Sequence, residues 1–245
     1  DYGTIQEELE AVFVSHAHLD HVGSLPLIQR EHPQAPIFAT LPTKEIARDR
    51  VLEDNELARV LLAAKQIGAP YNGIVDLLAL TGQRREEVAQ MRWEELDSAE
   101  RVWTIPKSRT KNAKAHVVHL SDQSLNVLKR TIKQGPYVFS ILGTKPFQEF
   151  SNAKRELDRL SGVTGWRLHD LRRTCVSGMA RLGIAPHVAD KILNHQSGTI
   201  SGVAAVYQRH DFLSERKEAL DRWGAHVAII LAKPVSALAK LRTAA

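Results

Sequence analysis

After residue 50, apolar residues recur at intervals of three and four through most of the chain, a spacing that predicts a mainly helical protein. Leu57, Val60, Leu61 and Ala64 mark the inner side of an amphipathic helix, with Glu56 near its start and Gly68 just past its end. A second helix, around Ile74 to Leu80, is apolar almost all round and belongs in the middle of the core. Thr81-Gly82 closes it, glycine being suited to a left-handed cap. Ser121 is placed to cap a helix with Leu125, Leu128 and Ile132 inward. FQEFSNAKRELDRLSG reads as another helix, its basic residues outward. Leu171, Cys175, Met179 and Leu182 form the stripe of the next. Pro186 then opens a short helix through Ile192 and Leu193 that ends at Asn194-His195. Tyr207 falls on a further helix beside Val203 and Val206, and Arg216, Leu220, Trp223, Val227 and Ile230 outline a long one. Only RVWTIP and AHVVHL read as strands, joined by the polar turn segment KSRTKNAKA. The fold expected from residue 51 is mainly α with a small antiparallel sheet.

The first fifty residues have a different pattern. Ala11 to Ser15 reads as a buried strand followed by HAHLDHVGSLP, an α/β beginning, and Val51 starts the helical periodicity. Charge divides at the same place. Residues 1–50 hold eight acidic and four basic residues, whereas the remaining 195 hold 29 basic and 20 acidic. The net +5 of the whole chain therefore understates how basic the helical part is, and a polyanionic partner is expected there. Cys175 is the single cysteine, which excludes an internal disulfide and fits a reducing cytoplasm; its place on an apolar stripe predicts packing. No apolar run approaches ~18 residues, so no membrane partner is expected, and the acidic N-terminus does not read as a signal peptide.

Chemistry concentrates between His169 and His210. His169 and Arg172 are three residues apart, so both leave one face of a helix near its start, where unpaired backbone N–H groups also favour an anion. Arginines that can grip a phosphate in a fork, imidazoles and a phenol able to attack make up the parts of a phosphoryl-transfer site. HDLRRT, LNHQSG and VYQRH resemble the C-terminal signature of the tyrosine recombinases, the phage-integrase family, in its prophage and genomic-island branch. The resemblance implies catalytic roles for His169, Arg172, His195 and Tyr207. Many members have glycine where this chain has Asn194. Upstream, TGQRREEVAQMRW resembles the family's first arginine box, which implies that Arg84 clamps the phosphate and Glu87 orients it. In the hairpin turn, Lys111 of TKN matches the family's lysine that protonates the leaving group.

His16, His18, Asp20 and His21 form an H-x-H-x-D-H cluster directly after a strand, a spacing able to bring ligands to one or two cations. It resembles the metallo-β-lactamase fold in its RNA-processing nuclease branch, through PIFATLPT and ending near residue 48. The ligands that such a domain draws from distant strands are lacking, so residues 1–50 are expected to be an incomplete fragment, joined by gene fusion or by a misassembled reading frame, without bound metal.

The organisation expected is therefore a fragment over 1–50, a tyrosine-recombinase catalytic domain over 51–230 and a tail over 231–245. The resemblance implies cleavage and rejoining of double-stranded DNA through a 3′-phosphotyrosine, with no cofactor, and self-association on DNA as a tetramer. It also implies a core-binding domain in front of the catalytic one; the fragment stands in that place, and impaired strand exchange is expected. The alternatives are a metal-dependent hydrolase or nuclease centred on the histidine cluster, and a DNA-binding remnant with an inactive site.

Overall fold

The computed structural model describes residues 12–14, 37–39, 50–110, 112–195 and 211–232. The chain divides into two compact units between Arg50 and Val51. In the first, β1 (Val12–Val14) pairs in parallel with β2 (Ile37–Ala39), Phe13 opposite Phe38. These two short strands give the metallo-β-lactamase resemblance of residues 1–48 no support, and His16, His18, Asp20 and His21 lie outside the described residues.

The second unit is built around α2 (Tyr71–Thr81), whose residues are buried on nearly every side. It packs against α1 (Asp54–Ile67), α3 (Arg85–Ala89), α4 (Asp122–Arg130), α6 (Leu168–Arg181) and α8 (Leu213–Ala232). An all-round apolar helix can be accommodated only in such a place. Gly82 ends it at φ +64°, and a Cβ there would lie 3.1 Å from Leu193 and 3.2 Å from Cys175. Glycine is thus required by backbone conformation and by close packing together. Cys175 is fully buried, and burial pushes its thiol up to about 12, in keeping with a packing role.

A three-stranded antiparallel sheet follows α3 in the order β3 (Leu96–Asp97), β4 (Val102–Ile105), β5 (His116–His119). Trp103 and Ile105 point inward and Thr104 outward, the alternation expected of a half-buried strand. Ser121 caps α4 through Ser124 N–H at 3.4 Å. One inward residue needs correction: α4 ends at Arg130, so Ile132 lies beyond it and is 76 % exposed, while Val127 takes the inward position. α5 (Phe150–Ser161) packs on α1, and α7 (Pro186–Ile192) packs on α6 and α8. Among the described residues no helix is long and apolar enough to cross a membrane.

Candidate functional site

Arg172 is buried, although it is a cation one turn into α6. Its Nη1 donates to the carbonyl of Gly82 at 2.7 Å and its Nη2 to that of Leu193 at 2.6 Å. Gly82 stands two residues before Arg84, and Leu193 two before His195. One guanidinium therefore joins the end of α2 to the end of α7, with His169 one turn away on its own helix. Each terminal nitrogen carries a second N–H, so the two carbonyl bonds do not exhaust the donors. Burial and the neighbouring Arg84 lower its pKa to about 10, and it stays charged at neutral pH.

Arg84 is the residue before α3. Glu87 accepts from its Nη1 and from its backbone N–H, each at 2.9 Å, through different carboxylate oxygens. Glu87 itself is buried, so the pair is shielded from water on one side and Arg84 remains partly open. His169 is lowered below the ordinary histidine range by burial and by Arg173 and Arg172. His195 is lowered by burial and by Arg172, with Asp190 at 3.5 Å from its Nδ1 pulling the other way. Both imidazoles are thus biased toward the neutral form, close to the cationic Arg172.

Of the six residues expected at the site, Arg84, His169, Arg172 and His195 are brought together. Lys111 and Tyr207 lie outside the described residues. Arg85 and Arg92 keep surface roles, paired with Glu86 and Glu94.

Several supporting residues escape motif reading. Gln83 Nε2 donates to Ile192 O at 2.9 Å, and His116 Nε2 lies 3.0 Å from the same oxygen. His116 is buried, and its pKa falls to about 4 through burial and the nearby Arg216. A neutral ring with Nε2–H fits that carbonyl. Arg109, in the hairpin segment, donates from Nη1 to Glu87 O at 3.1 Å and from Nη2 to the Glu95 carboxylate. Asn112 and Asn194 pair through their amides, Asn112 Nδ2 lying 2.6 Å from Asn194 Oδ1. Arg216 is buried at the start of α8 and donates to Val117 O and Asp211 O. Its place on an otherwise apolar stripe was the one signal available in the sequence. Among the described residues, no three His, Cys, Asp or Glu side chains gather as a metal site needs.

The phage integrase family model matches residues 50–213. The chain belongs to the phage integrase family. It is similar to the integrase of Salmonella phage P22, 27 % identical over 165 residues, which take in 62 % of this chain and 42 % of that protein. It is also similar to prophage integrase IntA of Escherichia coli, 30 % identical over 150 residues, covering 59 % of this chain and 35 % of IntA. The chain thus spans less than half the length of these two relatives. In fold it is similar to XerA recombinase, with a TM-score of 0.52 at 18 % identity over 91 % of this chain and 73 % of that one. The integrase from mycobacterium phage Brujita gives 0.51 at 18 % identity over 85 % and 76 %. Both bear out a mainly helical fold with a small antiparallel sheet. A shorter likeness, 37 % identical over 84 residues, links the chain to Ribonuclease TTHA0252 of Thermus thermophilus and takes in 17 % of that protein.

Proposed function

We propose that residues 51–230 form the catalytic domain of a site-specific DNA recombinase, which cuts and rejoins double-stranded DNA through a 3′-phosphotyrosine. The observation that carries this reading is the Arg172 bridge between Gly82 and Leu193, because it gathers two arginines and two histidines at one place.

In this reading Arg84 and Arg172 hold the non-bridging oxygens of the scissile phosphate as charge builds in the transition state. Tyr207 Oη attacks phosphorus and forms the new P–O bond. Its proton passes to His169, whose lowered pKa suits a neutral base. The bond to the 5′ oxygen breaks, and Lys111 gives that oxygen a proton. His195 donates to a phosphate oxygen. The reverse attack, by a 5′ hydroxyl of a partner strand, completes the exchange. Self-association on DNA, as the tetramer that the family resemblance implies, would hold two duplexes together for the exchange.

A library of duplexes randomised around a nick just beyond the scissile phosphate tests this, since the short leaving strand diffuses away and traps the adduct. The protein is expected to become covalently joined to DNA 3′ ends, with EDTA present, and Tyr207→Phe is expected to abolish the adduct while binding remains. No adduct from the unaltered chain, or one that survives Tyr207→Phe, overturns the proposal. Nothing among the described residues favours the metal-hydrolase alternative, whose four candidate ligands lie outside them.

A further inference from the structure

Asn194 has φ +54°, in the left-handed region that glycine enters freely and asparagine tolerates better than most residues. Backbone conformation alone would favour glycine. Asparagine adds a side chain, and that side chain meets Asn112 from a segment 82 residues away. Asn112 Nδ2 donates to Asn194 Oδ1 at 2.6 Å, and Asn194 Nδ2 donates to Asn112 Oδ1 at 3.3 Å. Each amide thus offers its donor and its acceptor to the other, which matches both groups in both directions.

The two residues stand at sensitive places. Asn194 directly precedes His195, and Asn112 directly follows Lys111. On the other side of Lys111, Thr110 is tied as well: its Oγ1 donates to Lys114 O at 2.7 Å and lies 3.2 Å from Lys107 O. Of the described residues at this turn, Thr110 is therefore braced within the turn and Asn112 is tied across to the end of α7. A long flexible ammonium gains most from a fixed stem, because a displaced donor near a reacting atom can lower a rate by about 10²-fold.

We infer that the Asn112–Asn194 amide pair is a positioning latch: it fixes the tip of the β4–β5 hairpin against the residue before His195, so that Lys111 delivers its proton to the leaving oxygen. The latch rests on the recombinase reading for its chemical consequence, but its mechanical part does not. Both residues are positioning residues, acting through Lys111.

The clean variant is Asn194→Gly, because glycine keeps the backbone at φ +54° and removes only the amide. Asn112→Ala removes the other half. Hydrogen exchange on the full chain is expected to rise at the amides of residues 110–114 in both variants, with the thermal midpoint little changed. Unchanged exchange overturns the latch, whatever the enzyme does.

The chemical arm uses a nicked duplex recovered from the adduct library, made with either an ordinary 5′ oxygen or a 5′ bridging sulfur at the leaving position. A thiolate leaves without a proton. On the oxygen substrate, each variant is expected to slow adduct formation by about tenfold, less than the ~10²–10⁴-fold expected for Lys111→Ala. On sulfur the variants should match the unaltered chain, and the double variant should be no slower than either single one, since one contact is lost in each case. Equal slowing on both substrates overturns the positioning role and assigns the pair to general folding. A Lys111→Ala defect that sulfur does not relieve, or no adduct from the unaltered chain, counts against the recombinase reading while raised exchange still supports the latch.

Discussion

Glu87 holds Arg84 at both ends, one carboxylate oxygen on the guanidinium and the other on the backbone N–H, each at 2.9 Å. The first bond aims the side chain and the second fixes the turn from which it leaves. The side chain is buried, and the backbone carbonyl of Glu87 accepts from Arg109 Nη1 at 3.1 Å. Glu87→Ala is therefore expected to release Arg84 from its aim without removing its charge. Adduct formation should fall by about 10²-fold through misplacement, while DNA affinity at low salt should change by less than about threefold, because the arginine charges proposed to meet the phosphate remain. A variant with unaltered cleavage rate would remove Glu87 from the site.

Gly178 lies against the ring of Trp223, and a Cβ built on it would come within 2.1 Å of Cζ3. The ring cannot easily move away, since Trp223 Nε1 donates to Ala79 O at 2.8 Å and the side chain is fully buried. Two effects compete in Gly178→Ala. Helix propensity favours alanine by about 1 kcal/mol, and overpacking opposes it by roughly 1–3 kcal/mol. The collision with a tethered ring should win, so the urea midpoint is expected to fall. An unchanged or higher midpoint would mean that α6 and α8 can separate at this point.

What the sequence made legible was local. Gly82 announced its cap because the helix before it was apolar throughout, and Ser121 announced its own because a helical stripe followed. His169 and Arg172 could be placed on one helix from their spacing. What stayed hidden depended on partners far away in the chain. Gln83 and His116 meet the same Ile192 carbonyl across 109 and 76 residues, and no periodicity encodes such a meeting. Asn194 stands where many members have glycine, and nothing near it in the sequence points to its amide partner Asn112, 82 residues away. Ile132 misled for the opposite reason: it keeps helical spacing with Leu125 and Leu128, but the helix stops before reaching it.

Asp76 and His116 give folding stability opposite pH dependences. Burial pushes the Asp76 carboxyl up to about 6, against the opposing pull of Lys65 and Arg130, whose guanidinium lies 3.5 Å away. Between its ordinary 3.8 and 6, the folded state binds more protons there than the unfolded state, so this group's contribution falls as pH rises through that window. His116, facing Arg216, Arg172 and Arg84, is lowered from 6.5 to about 4. There the unfolded state binds more protons, so its contribution rises from pH 4 to 6.5. Displacements of this size are each worth roughly 3 kcal/mol across their windows. The two effects largely cancel in the unaltered chain. Measured as urea midpoints relative to that chain, Asp76→Asn should gain stability as pH rises from about 4 to 6, and His116→Gln should lose it from about 4 to 6.5. Two difference curves of the same sign would refute this assignment.

Arginine and lysine should not be interchangeable at either of the two positions proposed to hold the phosphate, but for different reasons. Arg172 spans Gly82 O and Leu193 O with its two terminal nitrogens, both carbonyls being deep beside α2 and α7. A lysine ammonium is a single point and cannot reproduce two donors held apart by a planar group. Arg172→Lys therefore leaves at least one carbonyl without its donor, a loss of about 1–3 kcal/mol that lowers the melting midpoint by roughly 2–10 °C. Arg84 is different, since its side chain is partly exposed and its protein partner is the single carboxylate of Glu87, which an ammonium can still meet. Arg84→Lys should keep the midpoint within about 2 °C. Cleavage of the nicked duplex should drop by at least about 10²-fold in both variants, because each loses a fork of donors aimed at the transition-state phosphate. The pattern sought is one variant failing in stability and chemistry together, the other in chemistry alone. Should Arg172→Lys melt normally, the two carbonyl bonds do not hold the ends of α2 and α7 together; should Arg84→Lys cleave normally, a point charge suffices where a fork has been assigned.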